Sequence, residues 1–242
     1  MNLVIDIGNT RIKSALFVAS KLHAFKIVDS LEQLLADTEF INKANYAIIG
    51  SVIEGLDSFY EKLQQKMPII IFTSSTKIPV TNLYQSAATL GSDRLSAAIA
   101  SYYIHPNCNV LTIDAGTCIK YNFTNNKNEY LGGAISPGIR MRFKALQHFT
   151  SKLPFVEPDW SYSDLIGTNT QNSILSGVLN GSVAEVDGII EYYKSQYPDI
   201  LVLLTGGDSE FLAKRLKNSI FAHQNLVLKG LNDILNYNLE QT

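Results

Sequence analysis

One short pattern occurs twice in this chain and restricts what it can fold into more than any other feature. The first copy, Ile5-Asp6-Ile7-Gly8-Asn9-Thr10-Arg11-Ile12-Lys13, closes one apolar run and opens another. An apolar run that ends in Asp6, breaks at Gly8 and resumes through Ile12 to Phe17 predicts two antiparallel strands joined by a tight polar turn. The second copy, Ile113-Asp114-Ala115-Gly116-Thr117-Cys118-Ile119-Lys120, keeps the same order of residue types with a turn one residue shorter. It too runs into a strand-like stretch, Tyr121-Asn122-Phe123. Two such turns predict two related halves. Lobes of this kind, folded face to face, enclose a cleft in which each presents an Asp-Gly-Thr turn to one end of a polyphosphate.

The residue types of the first turn fit that role. Gly8 lets the backbone come close to an anion, Asn9 and Thr10 add short donors, Lys13 brings positive charge, and Asp6 can hold Mg²⁺ through water. An ordinary hairpin also uses Asn and Gly, and the second copy is what favours the phosphate cradle. Asp114 is open in the same way, as a cation ligand or as a group satisfying its own turn.

Composition excludes several classes. The 242 residues are enough for one large domain or two of ordinary size, and the repeated turn favours two, with the boundary after Pro106 (1–106 and 107–242). A net charge of −2 without a Lys/Arg cluster argues against nucleic acid as the main partner. The N-terminus has no basic stretch before its first carboxylate, and no apolar run reaches about 18 residues. A cytoplasmic protein with no membrane partner is expected. Cys108 and Cys118, the only cysteines, are too few for a disulfide framework and lack zinc spacing, so both are read as reduced thiols.

Along the chain the order ββ(β)αβαβ predicts a mixed α/β sheet: a third strand over Leu22–Val28, a helix from the Ser30 cap to about Ile41, a strand over Tyr46–Gly50, a helix over Leu56–Gln65 and a strand over Ile69–Phe72. Ser74–Ala88 reads as a surface loop, and Leu95–Tyr103 as a helix whose small residues point to burial against another helix, in this chain or a second subunit. In the second half, strands over Asn109–Asp114 and up to Phe123 lead to Tyr130-Leu131-Gly132-Gly133-Ala134-Ile135-Ser136-Pro137-Gly138. Its paired glycines imply close approach of a ligand or another backbone. Helices over Ile139–Phe149 and Ser173–Tyr193, then a buried strand over Ile200–Leu204 leading into Thr205-Gly206-Gly207-Asp208 and a following helix whose N-terminus would face an anion or a nucleotide, complete the reading.

Asp93 is the first candidate general base, since a carboxylate at a helix mouth can accept a hydroxyl proton while Arg94 pairs with a substrate carboxylate. The competing reading makes Ser92 or Asp93 the helix N-cap. The P-loop, the dinucleotide fingerprint, the nucleophile elbow and the His-Glu-x-x-His pattern are all missing, and phosphoryl transfer, which needs mainly positioning and charge neutralisation, fits best.

Taken together these stretches resemble the type III pantothenate kinases, of the superfamily of acetate and sugar kinases, Hsp70 and actin. The matches run in order: Asp6 to Lys13; Tyr84 ahead of Gly91-Ser92-Asp93-Arg94; Asp114-Ala115-Gly116-Thr117; Gly132 to Gly138; Gly167-Thr168-Asn169-Thr170; and Thr205 to Asp208. The resemblance implies two ribonuclease-H-like lobes with mixed sheets flanked by helices, an actin-like ATPase architecture. It implies ATP-dependent phosphorylation of pantothenate, the first step toward coenzyme A, with Asp93 as proton acceptor. Tyr84, Gly91, Ser92, Asp93, Arg94 and Thr168 are then pantothenate contacts. Asp6, Ile7, Gly8, Asn9, Thr10, Arg11, Ile12, Lys13 and Thr117 form the ATP phosphate site. Asp114 is the ligand of a monovalent cation, K⁺ or NH₄⁺, required beside Mg²⁺, and a homodimer completes the site.

Two positions depart from the family pattern: Ser86-Ala87 stands where Asn-Pro is common, which would loosen the substrate loop, and Lys120 where Thr is common, which puts a charge near the phosphate turn. Two other readings compete, a non-catalytic accessory protein linked to transcriptional regulation and a kinase of the same fold acting on a sugar or small acid.

Overall fold

The computed structural model describes residues 1–241. It opens with strands β1 (Asn2–Ile7), β2 (Ile12–Val18) and β3 (Lys21–Val28), the short helices α1 (Leu31–Ala36) and α2 (Thr38–Ile41), then β4 (Tyr46–Ser51), α3 (Asp57–Gln64) and β5 (Ile69–Ile71). After β6 (Thr81–Asn82) and α4 (Ser92–Ile104) come β7 (Val110–Ala115), β8 (Cys118–Thr124), β9 (Glu129–Pro137) and α5 (Ile139–His148). The chain ends through α6 (Thr170–Gln196), β10 (Leu201–Thr205), α7 (Ser209–Ala213), β11 (Phe221–Ala222) and α8 (Leu226–Leu239).

Contacts divide the chain into two compact units. The first takes Met1–Cys108, Asn122–Gly132 and the stretch from Asn225, and the second takes Asn109–Tyr121 and Gly133–Gln224. The first unit is built on a five-stranded sheet in the order β3-β2-β1-β4-β5. As the pattern predicts, the sheet is mixed: β2 is antiparallel to β1 and β3, while β4 is parallel to β1 and β5. Its central strand β1 is buried along its whole length because helices cover both faces. Leu3, Ile5 and Ile7 pack into one core with Leu34, Phe40, Ile41, Phe59 and Leu63 of α1, α2 and α3. On the opposite face lies α8, to which Asn2 donates two hydrogen bonds, to Asn232 Oδ1 at 2.9 Å and Asn236 Oδ1 at 2.8 Å.

The second sheet has six strands in the order β11-β10-β7-β8-β9-β6, with β10 parallel to both β7 and β11. β8 and β9 each have their outer ends, Asn122–Gly132, in the first unit together with β6. In the second unit β7 is buried throughout, and the long α6 buries Leu179, Val186 and Ile190 despite carrying Gly177, Gly181 and Gly188.

Two elements differ from the sequence reading. The helix expected from Ser30 to Ile41 starts as predicted, with Gln33 N–H donating to Ser30 Oγ at 3.2 Å, but breaks at Asp37. Asp37 leaves helical geometry and its carboxylate accepts from Phe40 N–H at 3.2 Å, so a side chain that competes for backbone donors starts α2 afresh. The Ser74–Ala88 loop contains β6, which pairs with β9.

α4 and α8 pack so closely that a methyl group on Gly230 would lie 1.8 Å from the carbonyl oxygen of Ser96. Gly230→Ala gains about 1 kcal/mol of helix propensity. Forcing backbone off backbone costs about 3 kcal/mol, the upper end of overpacking. A net loss of about 2 kcal/mol is expected, read as a lower urea midpoint at unchanged slope.

Candidate active site

In the first unit the turn within Asp6–Lys13 follows β1. Gly8 N–H donates to the Arg11 carbonyl at 3.1 Å, closing the turn, and the strand register sets Asp6 opposite Lys13 and Ile7 opposite Ile12. Residues opposite one another in an antiparallel pair share a face, so the buried Asp6 and the half-buried Lys13 lie on the same side. Asn9, Thr10 and Arg11 are exposed.

The second unit repeats the device. Gly116 N–H donates to the Cys118 carbonyl at 3.0 Å, and Lys120 Nζ stands 2.6 Å from Asp114 Oδ2. Asp114, left open between cation ligand and turn residue, is therefore ion-paired within its own hairpin. The turn lies beside Thr205-Gly206-Gly207-Asp208 because β7 and β10 are parallel neighbours with Asp114 in register with Thr205. Gly206 makes this possible: its φ is +98°, and a Cβ there would sit 2.2 Å from the Ala115 carbonyl oxygen. Asp208 N–H donates to that oxygen at 3.0 Å. Gly138, the N-cap of α5, donates to the Thr117 carbonyl at 3.2 Å, so three glycine-bearing segments meet around the exposed Thr117. Burial pushes the Asp208 carboxyl up to about 6, against the opposing pull of Arg140. Arg140 in turn lies over Trp160, 5.4 Å from the ring centre.

Tyr84, Gly91, Ser92, Asp93 and Arg94 all belong to the first unit. Gly91 is the N-cap of α4 and no side chain caps that helix, so neither Ser92 nor Asp93 serves as the N-cap. Ser92 Oγ donates to the Ser51 carbonyl at 3.1 Å, tying α4 to the end of β4. Asp93 is half-buried, and one of its carboxylate oxygens accepts from Arg94 N–H at 2.8 Å.

Arg94 is 5% exposed. Its Nε donates to Asn122 Oδ1 at 2.9 Å, and Nη1 reaches the Tyr84 hydroxyl at 3.4 Å. The Tyr84 ring lies against the guanidinium, 5.3 Å from its carbon. Nη2 is buried without a hydrogen-bond partner. Asn122 is locked in orientation because Tyr130 Oη also donates to its Oδ1, at 3.0 Å. All these partners are neutral.

The loop that carries Tyr84 is held firmly. Tyr84 N–H donates to Asn82 Oδ1 at 3.0 Å and Leu83 N–H to the Tyr130 carbonyl at 3.0 Å. The ring rests on Gly132, where an added Cβ would come within 3.0 Å of it. The paired glycines of β9 thus mark a close approach, but at Gly132 the neighbour is an aromatic ring, not a ligand or backbone. Thr168, in the second unit, is exposed in the loop before α6, next to Leu165 and Ile166, which are 78% and 80% exposed. Sequence reasoning missed Asn122 and Tyr130, whose spacing around a hairpin tip is meaningful only once β8 and β9 are paired. Among the described residues no cluster of three His, Cys, Asp or Glu could hold a metal ion, and no helix is long and apolar enough to cross a membrane.

Comparison with known proteins places the chain in a family. A family model described as type III pantothenate kinase matches residues 2–192. Proteins described as type III pantothenate kinase from Cytophaga hutchinsonii and Christiangramia forsetii are 42% and 43% identical to this chain, over 99% and 100% of it and 100% of each relative. Among solved structures, one described as a putative Baf family transcriptional activator from Campylobacter jejuni aligns with TM-score 0.66 and 24% identity, over 98% of this chain and 99% of that one. A ROK family glucokinase from Streptomyces griseus, in complex with glucose and AMPPNP, aligns with TM-score 0.56 and 11% identity, over 96% of this chain and 98% of that one. Both structures share the fold, with mixed sheets flanked by helices as in the sugar kinases.

The raised Asp208 pKa has a consequence for stability. The carboxyl titrates near 3.8 when unfolded and near 6 when folded, so the folded state holds the proton more tightly. The stability contributed by the neutral form is complete below the unfolded pKa and is lost as pH rises through the folded one. Asp208→Asn is expected to raise stability by about 1 kcal/mol near pH 7, after allowing for partial exposure, and to change little near pH 4. Urea unfolding at the two pH values checks this.

Proposed function

The chain belongs to the type III pantothenate kinase family, which phosphorylates pantothenate with ATP in the first step of coenzyme A biosynthesis, and from that premise we propose how its residues divide the work. Asp93 takes the proton of the primary hydroxyl of pantothenate as that oxygen attacks the γ-phosphorus of ATP. The bond to the β-phosphate oxygen breaks and ADP leaves. Arg94 binds the pantothenate carboxylate, with Tyr84, Gly91, Ser92 and Thr168 as further contacts. The turn from Asp6 to Lys13 holds ATP phosphates, and Thr117 is a further phosphate contact.

The observation that carries this reading is Arg94. A guanidinium buried to 5% exposure, held only by neutral groups and with Nη2 unpaired, is an incomplete ion pair. Leaving a buried charge without a counter-ion costs about 3–5 kcal/mol. A substrate carboxylate removes that cost on binding, and the planar fork favours a two-oxygen acceptor.

Mg²⁺ fits at Asp6: a buried carboxylate beside an exposed turn of donors suits a hydrated ion bound through its waters. When bound, it would neutralise charge on the phosphates. The family resemblance also calls for a monovalent cation, K⁺ or NH₄⁺, at Asp114; the positive charge in contact with that carboxylate is Lys120. The exposed Leu165 and Ile166 beside Thr168 support a homodimer whose contact covers this loop, and the cytoplasm is the proposed location.

With ATP, Mg²⁺, K⁺ and pantothenate the protein is expected to release ADP, and turnover no higher than a no-enzyme control would defeat the reading. Asp93→Asn is expected to lower kcat by about 10²-fold or more with little change in pantothenate KM. An unchanged kcat would remove Asp93 as the base. Arg94→Lys loses the fork and is expected to raise pantothenate KM about tenfold with a smaller change in kcat.

A further inference from the structure

Asp114 is buried at the end of β7, where an added cation would have to be held. Its carboxylate is already engaged. Lys120 Nζ lies 2.6 Å from Oδ2, with the two side chains 17% and 11% exposed. The pairing is built into the hairpin. Gly116 N–H to the Cys118 carbonyl fixes the turn, and Ile119 and Tyr121, fully buried on either side of Lys120, anchor the strand. Alternation then leaves Lys120 on the face opposite to these two.

A monovalent ion does not fit this donor set. One negative charge is balanced by one ammonium, so little net field remains to draw K⁺ out of water, and a second cation beside the ammonium would be repelled. Among the described residues no cluster of three or more His, Cys, Asp or Glu adds negative charge there. An alkylammonium carries the same charge as K⁺, and here it is tethered by its own strand, so its occupancy does not depend on the salt outside.

We propose that Lys120 stands permanently in place of the monovalent cation, so that this enzyme phosphorylates pantothenate without K⁺ or NH₄⁺. Lys120 is then a positioning residue: it acts through Asp114 and the Gly116-Thr117 turn that follows it, and touches no substrate. The proposal rests on the kinase reading above, and the experiment keeps the two apart.

Turnover of the full chain is measured with ATP, Mg²⁺ and pantothenate in choline chloride, free of potassium and ammonium. The measurement is then repeated with KCl replacing choline at constant ionic strength. Wild-type rates are expected to agree within about twofold. Lys120→Thr and Lys120→Met are expected to lose about 10²-fold in choline and to recover about tenfold or more in KCl, the scale of removing one preorganised electrostatic group. Thermal unfolding gives a readout independent of turnover: the wild-type midpoint is the same in both salts, and that of Lys120→Thr rises in KCl. A wild-type rate that climbs more than about twofold on adding KCl overturns the proposal. So do variants as active as wild type in choline, and folded variants that KCl fails to rescue. If neither variant folds, the wild-type response to KCl decides alone. Absence of wild-type turnover in both salts would instead overturn the kinase reading itself.

Discussion

A strand covered on both faces has no room for charge until it reaches its end, and this limit governs where the chemistry of the chain can lie. β1 and β7 are buried along their full length, and each meets its carboxylate only at the C-terminal end, at Asp6 and Asp114. A glycine turn follows in both cases, closed by a hydrogen bond from the glycine N–H to a carbonyl where the returning strand begins, Arg11 three residues on from Gly8 and Cys118 two residues on from Gly116. In open α/β sheets the C-terminal ends of the strands are where ligands gather, because there the backbone turns away and frees polar groups. The repeated pattern in the sequence is this constraint written twice, and in both copies the returning strand brings a lysine back toward the aspartate, as Lys13 and Lys120.

The strands, the two turns and most helices were legible in the sequence because each is set by a local period and by nearby stop signals. Ser30 announced α1 as a cap, and the Asp-Gly turns announced both hairpins. What stayed hidden depends on pairing across distance. Asn122 and Tyr130 read as ordinary strand residues until β8 and β9 lie side by side and both reach Arg94 or its partner. The departure at Lys120 was visible, yet its partner was not, since a shorter turn leaves several registers open. Asp93 was ambiguous between base and cap, and the geometry of Gly91 decides against the cap. α8 was missed although Leu228, Leu231 and Leu235 have helical spacing, because the reading stopped at the helix that follows the glycine pair.

The Ser86-Ala87 departure was expected to loosen the loop that carries Tyr84. In the structure that tyrosine is fixed before the chain reaches position 86. Its N–H is held by Asn82, the preceding residue pairs with β9, and the ring is seated on Gly132. A proline at position 87 would stiffen a segment that already turns as a short 3₁₀ helix, Ala87–Thr89, and would leave the tyrosine where it is.

The consequence is for Arg94. A guanidinium can be oriented by carboxylates or by neutral groups, and the two choices differ in what they leave for a ligand. Carboxylates would hold it more tightly but would cancel its charge. Asn122, Tyr84 and the ring beneath fix the same plane while the full positive charge stays available, and Tyr130 fixes Asn122 in turn. The free protein bears the cost of an uncompensated buried cation, which in the proposed reading a substrate carboxylate relieves on binding. On that proposal an uncharged analogue of pantothenate leaves the cost unrelieved, so discrimination in favour of the acid comes from the counter-ion that the surroundings of Arg94 lack as much as from the groups they supply.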